Sequence, residues 1–186
     1  VEDLLAVIGA DRVLELAFSS LGGELEVELW SATLKQVEFD DDDEVRRETV
    51  LATASLARVD LYCQWLEALD AESADLEAVG GAFIDRERLS LVDEESLFAE
   101  SLVIIDYVEV PEEHRGARLS HALVRGVGRV FRSDIVALTP ARISRGGSDD
   151  LMEDIVKFEG LCRHWARTGF VRVPDTDVML LPMERR

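Results

Sequence analysis

Along the first 70 residues the apolar positions change period more than once. Leu4, Leu5, Ile8, Val13, Leu14 and Leu16, with Asp11 and Arg12 between them, predict a short helix and a turn over residues 2–18. Gly22 and Gly23 break that run. In Glu24 to Trp30 acid and apolar then alternate as far as Leu29, the pattern of a strand with one solvated face. Further on, Val50, Leu51, Ala54, Leu56, Val59, Tyr62, Cys63, Leu66 and Leu69 fall mostly three and four apart, which predicts a helix over residues 45–71. The acidic run Asp40 to Glu44 would open that helix, because the N-terminal end of a helix dipole favours carboxylates. The run lacks the glycine and the bidentate Glu that a calcium loop requires.

Residues 76–79 extend this helix or start another, and Gly80-Gly81 ends it. A short strand at 82–84 and a short helix at 93–99 follow. Residues 101–110, SLVIIDYVEV, form a β-rich run stopped by Pro111. A loop from His114 to Ser120 leads into a helix reaching about Arg132, and an apolar strand covers 135–139. A Gly/Ser/Arg loop spans 142–150, a helix runs over 151–168, and Gly169 closes it. Strands at 170–173 and 178–181 flank the turn residues Pro174-Asp175-Thr176-Asp177. Strands interleaved with helices indicate an α/β layered domain.

Composition narrows the partners. The chain has 186 residues, 47% hydrophobic and 32% charged, which suits one sizeable core and argues against disorder. No apolar run approaches a membrane span, and Glu2 and Asp3 speak against a basic leader. Cys63 and Cys162 lie in apolar helical patterns without metal-ligand spacing, so both are expected as buried thiols in a reducing, cytoplasmic setting. The net charge of −19 resides in residues 1–100, with 26 acids against 7 bases, whereas residues 101–186 carry 13 of each. Such a surface repels nucleic acid; it suits either a cationic partner or simply solubility in a salty cytoplasm.

The candidate chemistry lies where the 101–110 strand meets the following helix. A helix start leaves backbone N–H groups unpaired and carries partial positive charge, so it holds phosphate. Here the loop adds Arg115, Arg118 and the Ser120 hydroxyl, and a pyrophosphate-bearing ligand is the natural reading. No Gly-x-Ser-x-Gly elbow and no compact histidine metal cluster is present. His114 reads as a loop side chain beside the phosphate site.

Val108-Glu109-Val110-Pro111-Glu112-Glu113-His114-Arg115-Gly116-Ala117-Arg118-Leu119-Ser120 resembles the core motif of the GNAT superfamily of acetyl-CoA-dependent N-acetyltransferases. Leu161 to Phe170, with Trp165 and a terminal Gly-Phe, resembles that family's second motif. The resemblance covers residues 101–183. It implies a single GNAT-like α/β domain over 1–186, with a mixed, mostly antiparallel sheet, splayed central strands and flanking helices. In it, 1–100 would be a divergent acidic half and 101–186 the acetyl-CoA-binding core. It further implies acetyl transfer to an amine, with the pyrophosphate on the amides of Arg115, Gly116, Ala117, Arg118, Leu119 and Ser120. The pantetheine arm would lie beside Val108 and Val110, and the Val110 N–H would polarise the thioester.

The same resemblance makes Glu109 the base that deprotonates the acceptor, with Asp106 in reserve. Where the family often has a Tyr acid, this chain has Trp165, and His164 before it is the chemical substitute; its other reading is a helix-surface residue. Arg118 stands where the family pattern has a first Gly, and Ser120 where it has a second small residue. The acceptor implied is a small-molecule or peptide amine, with a cationic one favoured by charge, and homodimers are common in the family. The other reading is a non-catalytic GNAT-like module that binds a partner protein or senses coenzyme A. Nucleic acid and membrane are not expected partners.

Overall fold

The structure is a computed structural model that describes residues 12–22, 27–40, 44–85, 89–140 and 151–183. Seven strands form one sheet in the order β1-β2-β3-β4-β5-β7-β6. The strands are β1 (Arg12–Gly22), β2 (Val27–Phe39), β3 (Val45–Asp60), β4 (Ser101–Glu109), β5 (Ile135–Leu138), β6 (Val171–Arg172) and β7 (Met179–Leu181). The helices are α1 (Trp65–Glu72), α2 (Ala74–Gly81), α3 (Leu119–Val130) and α4 (Leu151–Ala166). All neighbouring strands run antiparallel except β4 and β5. A parallel pair needs a crossover, and α3 supplies it. The mixed, mostly antiparallel sheet with flanking helices agrees with the expected fold class.

The sheet is covered on both faces. On one, Leu34, Leu56, Val103, Ile105, Val136 and Leu138 pack against Leu119, Leu123, Val124 and Val127 of α3, with Trp165 and Phe170 beside them. On the other, Val59, Leu102, Ile104, Ile135 and Leu180 pack against Leu69 of α1, Leu76 and Val79 of α2, and Phe83 and Leu89. Residues 71–100, whose role the sequence left open, thus supply much of the second cover. Ser73 begins α2 by accepting from the Leu76 N–H at 3.1 Å. Arg58 fastens three strands, donating from Nε to Asp134 at 2.8 Å and from a terminal nitrogen to Ser101 Oγ at 2.9 Å, and pairing with Glu28 at 3.2 Å.

Several expected elements are corrected. The helix read over 2–18 is in part β1, and residues 1–11 lie outside the described residues. The helix read over 45–71 is β3, followed by a turn and α1. The buried residues of β3 alternate with the half-buried Thr53 and Arg58 and the exposed Ser55, but they fall in adjacent pairs at Leu51-Ala52 and Leu56-Ala57 that break the period, and bulges shift the pairing at Ser55/Leu56 and near Leu34. The acidic run is the connection of the β2–β3 hairpin. Its Asp40 N–H donates to Glu44 O at 2.9 Å, and the Glu44 N–H returns to Asp40 Oδ1 at 3.0 Å. Residues 82–84 form a turn rather than a strand, with the Phe83 N–H on Gly80 O at 2.8 Å. Cys63 is exposed in the turn after β3, and Cys162 is half-buried on α4, so neither is the buried thiol expected. The loop read at 142–150 lies outside the described residues.

Two features of β4 prepare the site. Its register with β3 passes from Ser55↔Tyr107 to Leu56↔Ile105, which leaves Asp106 as the extra residue of a bulge. Its last pair with β5 is Ile105↔Leu138. Asp106 to Glu109 therefore continue past the end of β5 without a β5 partner among the described residues.

Candidate functional site

Pro111 cannot continue the β4 ladder, and the chain turns through a single 3-10 turn, Glu112–His114. There the His114 and Arg115 N–H groups donate to Pro111 O and Glu112 O at 2.9 and 3.2 Å. Beyond it the backbone changes hand twice, at Gly116 (φ 90°) and at Arg118 (φ 56°). A side chain at Gly116 would meet nothing within 4 Å, so the backbone angle, rather than space, calls for glycine. Arg118 caps α3 without a side-chain hydrogen bond, and its carbonyl accepts from the His121 and Ala122 N–H groups.

The N–H groups of Gly116, Ala117, Arg118, Leu119 and Ser120 have no protein acceptor among the described residues. Five open amides at a helix start, with left-handed residues among them, make a concavity for an anion. Arg115 Nε donates to Val110 O at 3.3 Å and ties this loop to the end of β4.

A cavity of about 420 Å³ opens on the loop. Among the described residues its lining includes Arg115, Arg118 and Arg167 and no carboxylate. None of the three guanidiniums pairs with an acid among the described residues. In a chain of charge −19 this is a local inversion of sign. Low-dielectric walls focus such a field on an incoming anion.

All three histidines of the chain, His114, His121 and His164, line this cavity. Ser120 Oγ lies 3.1 Å from His164 Nε2, and His164 Nδ1 lies 3.3 Å from His121 Nε2. The two rings are 4.2 Å apart, and His164 meets the buried Trp165 edge-on at 4.7 Å. His121 is 7% exposed. Burial pushes its pKa down to about 4, helped by His164, Arg125, Arg118 and Arg167. His164 is lowered too, first by burial and then by Arg167. Both rings are therefore neutral near pH 7. With Ser120 donating, one tautomer set satisfies the chain: Ser120 O–H to His164 Nε2, then His164 Nδ1–H to His121 Nε2.

No family model matches the sequence, and no curated protein matches it. Solved structures of similar chain path include a chain of the KacTA–DNA complex (9% identity, 93% of this chain and 94% of that one, TM-score 0.43). Others are arylalkylamine N-acetyltransferase 2 from Aedes aegypti (10%, 78% and 70%, 0.36) and Drosophila melanogaster polyamine N-acetyltransferase, which forms N-acetylagmatine (11%, 82% and 71%, 0.36). Likenesses this distant carry no weight for family or activity, and the site stands on its own geometry.

The cavity gathers most of the residues singled out by sequence. Val110, Arg115, Gly116, Arg118, Leu119, Ser120 and His164 line it; Ala117 belongs to the loop without lining the cavity. Val108 is half-buried and packs with Val110 on the α3 side. Glu109 between them is exposed, faces the other side of the strand and does not line the cavity. Asp106, at the bulge, has its carboxyl held above the usual range by partial burial, with Asp75 of α2 adding repulsion. His164 is half-buried against Ser120 rather than solvated on a helix surface. The sequence reading missed His121 and Arg167. Their signal was faint: Arg167 follows His164 by three residues near the end of α4, and His121 adjoins Ser120 on α3.

Proposed function

We propose that this chain, as one domain over residues 1–186, transfers an acetyl group from acetyl-CoA to an amine in the manner of the GNAT superfamily. One observation carries the reading: among the described residues, five open amides and three arginines without an acidic partner surround a cavity lined by no carboxylate, at the end of β4 that extends past its last pair with β5. The residues fit a pyrophosphate-bearing co-substrate in charge and in hydrogen-bond donors. Bound acetyl-CoA would supply a thioester open to attack by an amine nitrogen.

In this reading the amides from Gly116 to Ser120, with Arg115, Arg118 and Arg167, hold the phosphates. Val110 lies one residue past the last ladder pair, Thr53↔Glu109, and in this reading its N–H polarises the thioester carbonyl. Glu109 takes the proton of the acceptor from the opposite face of the strand, so acceptor and co-substrate approach from different sides. His164, neutral at rest, sits at the phosphate end beside Ser120, and its assignment as acid for the leaving thiolate requires it to gain a proton first. The acidic half of the chain supports a cationic acceptor.

Isothermal titration with acetyl-CoA tests the reading, with an Arg115→Ala/Ser120→Ala double variant as control. Micromolar binding that the variant loses, followed by thiol release with a panel of amines, supports the enzyme. Binding without turnover on any amine would make the chain a coenzyme A sensor. Absence of binding at millimolar ligand would overturn both.

A further inference from the structure

The chain of Ser120, His164 and His121 does more than fill space beside the loop. Among the described residues its members face only cations and neutral groups within the cavity: Arg115 and His114 from the loop, Arg118 from the start of α3, and Arg167 beyond α4. Arg125 of α3 adds positive charge near His121. With the cavity empty, another positive charge is unfavourable there. An oligophosphate brings two or more negative charges to the same space and reverses that preference.

We propose that anion binding in this cavity is proton-coupled: the Ser120–His164–His121 chain is uncharged without ligand and takes up one proton when a pyrophosphate-bearing ligand enters. The proposal deepens the reading of the loop as a phosphate holder and rests on it.

The hydrogen-bond inventory gives the coupling a mechanism. In the tautomer set with Ser120 as donor, the neutral chain spends the one Ser120 hydrogen on His164 Nε2. A proton added to Nε2 turns that contact round, so that His164 donates and Ser120 Oγ accepts. The Ser120 hydrogen is then free to point at a ligand oxygen. His164 Nδ1–H continues to donate to His121 Nε2, which stays an acceptor. One proton from solvent thus creates a cation and frees a donor at the same place. His121 is a positioning residue: it fixes which nitrogen of His164 receives the proton.

Imidazole nitrogen NMR on the intact chain reads this directly, because the chain has three histidines. The spectra are recorded across pH without ligand and with saturating inorganic pyrophosphate, and a His164→Asn protein assigns the signals. The expected result is a His164 midpoint below the ordinary histidine value without ligand that rises by about one unit or more with pyrophosphate. By linkage, affinity then tightens about ten-fold on acidification across that interval, after subtraction of the titration of pyrophosphate itself measured with His164→Asn. His121→Phe should still bind pyrophosphate, with the rise in the His164 midpoint reduced. Binding that leaves the His164 midpoint unmoved overturns the proton coupling alone. Failure of pyrophosphate to bind at all overturns the phosphate-holding loop with it.

Discussion

Replacing Arg118 by glycine separates two consequences of one residue. Arg118 caps α3 in the left-handed region, at φ 56° and ψ 28°. That conformation costs a residue with a Cβ about 1–2 kcal/mol and glycine almost nothing. Glycine gives back about 0.4–1 kcal/mol through the greater freedom of its unfolded chain. The Arg118 side chain makes no capping hydrogen bond and no ion pair among the described residues, so folding loses no contact. The balance is a gain of about 0.5–1 kcal/mol, a rise in melting temperature of about 1–4 °C for a chain of this length. The same change removes one of three guanidiniums from the anion cavity. For an exposed charge this is worth about 1 kcal/mol, or roughly five-fold in affinity. Urea denaturation with the slope checked for constancy measures the first effect, and titration with inorganic pyrophosphate the second. A less stable variant would refute the strain argument, and unchanged affinity would remove Arg118 from the anion site.

Three other outcomes follow from particular contacts. Glu109→Gln should lower turnover by about 100-fold and abolish the acidic limb of the pH–rate profile while acetyl-CoA binding is kept; full activity with an unchanged profile would discharge Glu109 as the base. Gly126→Ala should destabilise by about 1 kcal/mol, because the added methyl would sit 2.0 Å from a Leu16 methyl and overpacking outweighs the gain in helix propensity; in a Leu16→Ala background the same change should be neutral or stabilising. His121 has a pKa of about 4 folded and 6.5 unfolded, so below pH 6.5 the unfolded chain binds more protons, and stability should fall as pH drops from about 6.5 towards 4. His121→Asn should flatten that loss in stepped-pH denaturation; parallel loss in both proteins would contradict a buried neutral ring.

The core segment of the site was legible from residues near in sequence. Pro111, the Arg-Gly loop and the apolar face of α3 are local features, and each predicts strand end, turn and helix start without reference to the rest of the chain. The αL angle at Arg118 is one that glycine adopts most readily. By contrast, the sequence could not tell that 45–60 is a strand. Its buried residues alternate with Thr53, Ser55 and Arg58 but fall in adjacent pairs at Leu51-Ala52 and Leu56-Ala57, and each pair interrupts the period that would have revealed the strand.

By itself, then, the sequence determined the strand–loop–helix junction, the open amides of its helix start, and the concentration of negative charge in the first hundred residues. These depend on backbone rules and on composition. Only the tertiary structure decided that His164 and Arg167 from the end of α4 meet His114 and His121 at that loop, and that the cavity they line holds no carboxylate among the described residues. It also decided that Glu109 faces away from them. The physical reason is that burial and field are properties of neighbours in space. His121 and His164 are 43 residues apart in the chain, and only when α3 and α4 pack on the same face of the sheet do their nitrogens come within 3.3 Å and their protons become coupled.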